Sequence, residues 1–169
     1  MMKLSKPNQD RFIALISEIA MKPEVLEMRR FIQHGEVSTF DHCLHVAYLS
    51  FFLAKKLHLQ IDEKSLVYGA MLHDFYLYDW HDKNYDRKRL HGFHHPKTAI
   101  RNAEKLYLLN KVERDIILKH MWPLTPKFPK YKESYIVTIS DKICSLMEIY
   151  RSQNKSCFLV SSAGVSFIE

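Results

Sequence analysis

The sequence predicts an all-α fold, a single-domain helical bundle. Three observations carry that expectation. Apolar residues recur at helical spacing in one segment after another. Only 4 of 169 residues are glycine, few for a sheet with tight hairpins. The run Val46-Ala47-Tyr48-Leu49-Ser50-Phe51-Phe52-Leu53-Ala54 is apolar all round, which marks a buried central helix.

Taken in order, Phe12, Leu15, Ile16 and Ile19 place an amphipathic helix between Asn8 and Met21. Pro23 opens a second helix containing Val25, Leu26, Met28, Phe31 and Ile32, and Gly35 ends it. Ser38 or Thr39 caps the central helix, which runs to about His58 with His42, His45, Leu49 and Phe52 on one face. Asp62 caps the next. There Leu66, Ala70 and His73 fall at i, i+4 and i+7, while Val67, Met71 and Asp74 form the adjacent stripe. An imidazole and a carboxylate thus leave the end of a buried helix side by side.

Between Phe75 and His95 the pattern shows neither helical nor strand period, and the stretch is rich in aromatics and charge. It reads as a functional loop. Pro96 opens a helix to about Leu108, with His95 at its mouth. Asn110 and Glu113 form a capping-box pair for another helix, in which Val112, Ile116 and His120 share a face. Pro123, Pro126 and Pro129 make the following stretch extended. A last long helix from about Glu133 to Tyr150 carries a core stripe of Ile136, Ile139, Ile143, Met147 and Tyr150. Asp141 lies on its flank, where a mid-helix aspartate asks for a reason. After Ser152 the pattern is lost.

Composition bounds the function. Hydrophobic residues are 47% and charged residues 26%, a globular balance. Lys+Arg 25 against Asp+Glu 19 gives 25 − 19 = +6. That excess suits a phosphorylated ligand, but no lysine–arginine block or basic stripe points to nucleic acid. Cys43, Cys144 and Cys157 are odd in number and form no CxxC, which implies a reducing compartment. No apolar run approaches the roughly 18 residues of a membrane span, so a cytoplasmic protein without a membrane partner is expected.

His42, the pair His73-Asp74, a histidine near position 95, His120 and Asp141 each sit in a different helix or at a helix mouth. A bundle can bring them to one centre. Imidazole and carboxylate donors without thiolates suit iron, manganese, zinc or cobalt, and Asp74 can bridge two ions. His91, His94 and His95 compete for the position near Pro96.

Asp41-His42-Cys43-Leu44-His45-Val46-Ala47, Met71-Leu72-His73-Asp74 and Ile139-Ser140-Asp141-Lys142 resemble, in order, the motifs of the HD superfamily of metal-dependent phosphohydrolases. The resemblance covers roughly residues 37 to 150. It implies an HD-type core over 35–150, preceded by scaffold helices over 1–34 and followed by a tail over 151–169 packed on or extending from the same domain. It also implies that His42, His73, Asp74 and Asp141 bind a first metal, with His73 and Asp74 catalytic. His95 and His120 look like the additions of the two-metal subset, giving two divalent ions per chain. The glycine-tyrosine-proline signature of the family's cyclic-dinucleotide phosphodiesterases is absent, since Met121-Trp122-Pro123 follows His120.

The expected activity is hydrolysis of a phosphoester or phosphoanhydride in a nucleotide-type small molecule by metal-activated water. Lys142, Lys97 and Arg89 are expected to hold phosphates, and Tyr78 and Trp80 to stack on a base. Two rivals have different chemistry. One is a regulatory module that binds metal and a phosphorylated ligand without turnover, and the other is a di-iron enzyme that activates oxygen on the same scaffold.

Overall fold

The computed structural model describes residues 3–79 and 91–153. Its helices are α1 (Lys6–Ala20), α2 (Pro23–Leu26), α3 (Thr39–Lys56), α4 (Glu63–Leu72), α5 (His91–Leu106), α6 (Lys111–Lys119) and α7 (Lys132–Gln153). A 3-10 turn over Glu27–Arg30 follows α2. A minimal antiparallel pair, β1 (Ile32–His34) and β2 (Val37–Ser38), then leads into α3. The fold is all-α, as predicted. The sequence expectations for Trp80, Arg89 and the tail beyond Gln153 fall outside the described residues.

Helix starts follow the capping chemistry. Ser38 Oγ accepts from Asp41 N at 3.1 Å, and Asp62 Oδ1 accepts from Ser65 N at 3.0 Å. Asn110 and Glu113 complete a reciprocal capping box at α6. The central helix α3 packs against α4 and α7, and α4 against α6. Val46, Ala47, Phe51, Leu66, Ala70, Met71 and Ile116 are buried between them.

One contact sets how closely α4 and α6 approach. A Cβ on Gly69 would stand 2.5 Å from Ile116 Cδ1 and 3.0 Å from Ile116 Cβ, so glycine is what lets the two helices meet here. The C-terminal ends of both helices are thereby brought to the same place.

Four elements differ from the sequence reading. The second helix stops at Leu26, and Ile32 lies in a strand. Gly35 has φ +60° and makes the turn between β1 and β2, so its left-handed freedom serves a hairpin rather than a helix end. Helix α5 begins at His91, which places Pro96 inside it and His95 in its second turn.

Helix α7 is the largest difference. Ile136 is buried, but the remaining residues of the expected core stripe, Ile139, Ile143, Met147 and Tyr150, are exposed. The inward face carries Ser134, Val137, Thr138, Asp141, Cys144 and Glu148. Polar groups on α7 bond partners on α3 and α6, and those bonds outweigh the burial of larger apolar side chains. Among the described residues, no helix is long and apolar enough to cross a membrane.

Candidate metal centre

Three helices and the ends of two more aim polar groups at one buried point. His42 comes from the first turn of α3, and His73 is the residue that closes α4, with Asp74 next. His95 comes from α5, His120 closes α6, and Asp141 comes from the middle of α7. All six are buried.

Each of three imidazoles is held from behind. His73 Nδ1 donates to Ala70 O at 2.7 Å and His120 Nδ1 to Ile117 O at 2.8 Å. His42 Nδ1 donates to Glu148 Oε2 at 2.9 Å. Hydrogen on Nδ1 leaves each Nε2 able to offer a lone pair to the centre, the arrangement that outer partners impose on metal-binding histidines.

The Nε2 atoms fall into two groups on either side of Asp74. His42 and His73 Nε2 lie 3.2 Å and 3.8 Å from Asp141 Oδ1, and 4.0 Å and 3.6 Å from Asp74 Oδ2. His95 and His120 Nε2 lie 3.1 Å and 3.5 Å from Asp74 Oδ1, and 2.8 Å from each other. The two oxygens of one carboxylate therefore face different histidine pairs.

These donors fit divalent ions. His73 Nε2 is fully buried and makes no hydrogen bond among the described residues, and leaving such an atom unmatched costs about 1–3 kcal/mol. His42, His73 and Asp141 each offer a ligand atom within 4.8 Å of the others, as do His73, Asp74 and His120. Ligand atoms about 2.1 Å from one ion stand about 3 Å apart, comparable to the closest of these separations.

The electrostatics show how the protein itself balances the charges of the centre. Burial raises Asp74 and Asp141, but surrounding histidines outweigh it and hold both carboxyls below the ordinary range. Burial lowers His120 to about 3 despite Asp74 nearby, which keeps that ring neutral. Burial also pushes His42 down, yet hydrogen bonds to Asp141 and Glu148 hold it at about 10. Positive charge on His42 and His73, both held above the ordinary histidine range, balances Asp74 and Asp141, and a divalent cation binding there would displace those protons.

Of the competing histidines, His94 is exposed and His95 is buried at the centre. The His91 side chain lies outside the described residues. Lys142 is half-buried and turns its ammonium onto His120 O at 3.0 Å and Thr138 O at 3.5 Å. Tyr78 packs on Tyr76 with ring centroids 4.8 Å apart, and Lys97 is exposed on α5.

Sequence reasoning missed three neighbours of the centre. Glu148 lies seven residues after Asp141, a spacing that shares a helix face and was the available signal. Gln33 on β1 donates from Nε2 to Asp74 Oδ2 at 2.7 Å, and its Oε1 accepts from Tyr76 OH. His34 sets its ring 5.9 Å from that of His42. Neither β1 residue carried a signal, because their segment read as the end of a helix.

Residues 39–146 match the HD domain family. No curated protein and no solved structure matches the chain.

Proposed function

The chain belongs to the HD-domain family, and on that premise we propose that it is a metal-dependent phosphohydrolase acting on a phosphoester or phosphoanhydride of a nucleotide-type small molecule. The observation that carries this reading is Asp74, whose two oxygens face separate histidine pairs. His42, His73 and Asp141 with Asp74 would hold one ion, and Asp74 with His95 and His120 a second. When bound, such ions supply Lewis acidity, lowering the pKa of water and neutralising phosphoryl charge.

The chain's own residues do the rest. Gln33 fixes the rotation of Asp74, and Ala70 O, Ile117 O and Glu148 fix the three imidazoles. Lys97, Lys142 and Arg89 are the candidate phosphate contacts. Tyr78 and Trp80 are the candidate stacking surface for a base. The free cysteines Cys43 and Cys144 suit a cytoplasmic location.

The experiment is a panel of phosphorylated compounds assayed with manganese, iron, cobalt and zinc. Metal-dependent phosphate or nucleoside monophosphate release, lost in Asp74→Asn, is the expected result. Metal and nucleotide binding without any turnover would establish the regulatory module instead. Oxygen uptake by the ferrous protein would establish the di-iron alternative.

A further inference from the structure

The outward face of α7 is more apolar than the face it packs inward. Tyr135, Ile139, Ile143, Leu146, Met147 and Ile149 are exposed, Leu146 at 69% and Ile139 at 52%. At 100° per residue they form one band, about 21 Å long from Tyr135 to Ile149 at a rise of about 1.5 Å. Three charged residues lie within this span, and only Lys142 falls within the arc of the band. Asp141 and Glu148 are buried on the opposite face, and Lys142 Nζ is drawn onto backbone oxygens of His120 and Thr138.

A continuous apolar band whose one cation is turned inward marks an interaction surface rather than scattered exposure. Its size indicates the occupant. The six side chains show on the order of 550 Å² to water, near the roughly 600–1,000 Å² that each partner contributes to a standard interface once a polar rim is added. Its chemistry indicates the same occupant. With its one cation bonded to backbone oxygens, the band offers little charge for a foreign partner to complement, whereas a straight apolar helix face is complementary to its own copy across a two-fold axis.

We propose that α7 pairs with α7 of a second copy of this chain, giving a homodimer whose two-fold axis passes near Ile143. Ile139 of one protomer then meets Met147 of the partner subunit. The helix that carries Asp141 and Glu148 on its inner face is clamped from its outer face by the partner.

Sedimentation of the full chain tests this directly. The expected result is a particle of twice the 20.1 kDa chain mass, dissociating with a micromolar or tighter constant. Combining Leu146→Glu with Ile139→Glu should give a monomer with an unchanged helical circular dichroism spectrum. Leu108→Glu, at a fully exposed residue away from α7, should leave the dimer intact. A wild-type chain that stays monomeric up to about 100 µM overturns the proposal. So does a dimer whose mass and dissociation constant are unmoved by the α7 double variant, because its interface then lies elsewhere.

Discussion

Glu148 and His42 are 106 positions apart, and Glu148 Oε2 accepts from His42 Nδ1 at 2.9 Å. The same imidazole meets Asp141 through Nε2 at 3.2 Å. One face of α7 thus grips both nitrogens of one ring, with two carboxylates separated by two turns. The second oxygen of Glu148 lies 3.4 Å from His45 Nδ1, so the carboxylate is itself held.

This arrangement makes Glu148 a positioning residue for His42. Glu148→Ala should weaken metal binding about 10–100-fold while leaving the helical content unchanged. Glu148→Gln should recover part of the loss, because its amide oxygen still accepts from Nδ1. A calorimetric metal titration reads the affinity, and nitrogen NMR reads which ring nitrogen of His42 carries hydrogen. Wild-type affinity in Glu148→Ala would remove the role.

The division of Asp74 between two histidine pairs sets an expected stoichiometry. Elemental analysis of gently purified protein should find about two ions per chain, the number that the two donor groups can hold. His120→Ala should lower that towards one, because the group on the Asp74 Oδ1 side loses a ligand. Asp74→Asn should empty both positions. One ion in the wild type, unchanged in His120→Ala under metal-replete conditions, would leave a mononuclear centre with His95 and His120 bonded to each other.

Much of this centre was legible because helical period and helix caps are local. The stripes ending at His73 and His120 point those rings to one place, and the caps at Ser38, Asp62 and Asn110 fix where their helices begin. The orientation of α7 was not legible from hydrophobicity. Its most apolar stripe faces outward, because tertiary bonds through Asp141 and Glu148 decide which side packs inward. The β1–β2 pair escaped because Gly35 suits a helix end and a hairpin turn equally well, and only its partner strand chooses between them. With the hairpin unread, Gln33 could not be placed on Asp74.

Asp115 joins α6 to the start of α7, and its contribution should depend on pH. Its carboxylate accepts from Lys130 N at 2.7 Å and Ser134 Oγ at 2.8 Å, and pairs with Lys119 Nζ at 2.5 Å. Burial raises the group, but these partners outweigh it and hold the carboxyl below its ordinary range. A folded-state pKa below the unfolded value of about 3.9 gives stability that is present above that value and lost as pH falls through the folded pKa. Asp115→Ala should cost about 2 kcal/mol at neutral pH, from lost charged hydrogen bonds and donors left behind. Denaturant unfolding at a series of pH values should show the gap between wild type and variant narrowing below about pH 4. A gap that stays constant there would mean that packing, not the ionised carboxylate, is responsible.

Gly69→Ala tests whether the close approach of α4 and α6 builds the centre. In an unhindered helix this change adds about 1 kcal/mol of stability, because alanine loses less backbone freedom. Here the new Cβ meets Ile116 at three atoms, at 2.5, 3.0 and 3.1 Å. The first is a side-chain end that can rotate, but the second is the Cβ of a β-branched residue and moves only with the backbone of α6. Overpacking of this kind costs about 1–3 kcal/mol, so the net effect should be a loss despite the better propensity. The displacement also has a direction. Ile116 precedes His120 by one turn, and Gly69 precedes His73 by one turn, so separating the helices draws their closing histidines apart. Gly69→Ala should therefore lower both the melting temperature and the metal affinity, and Ile116→Val in the same chain should restore part of each by removing the nearest methyl. A Gly69→Ala protein that is more stable than wild type, with unchanged metal affinity, would show that α6 yields freely and that the centre does not depend on this contact.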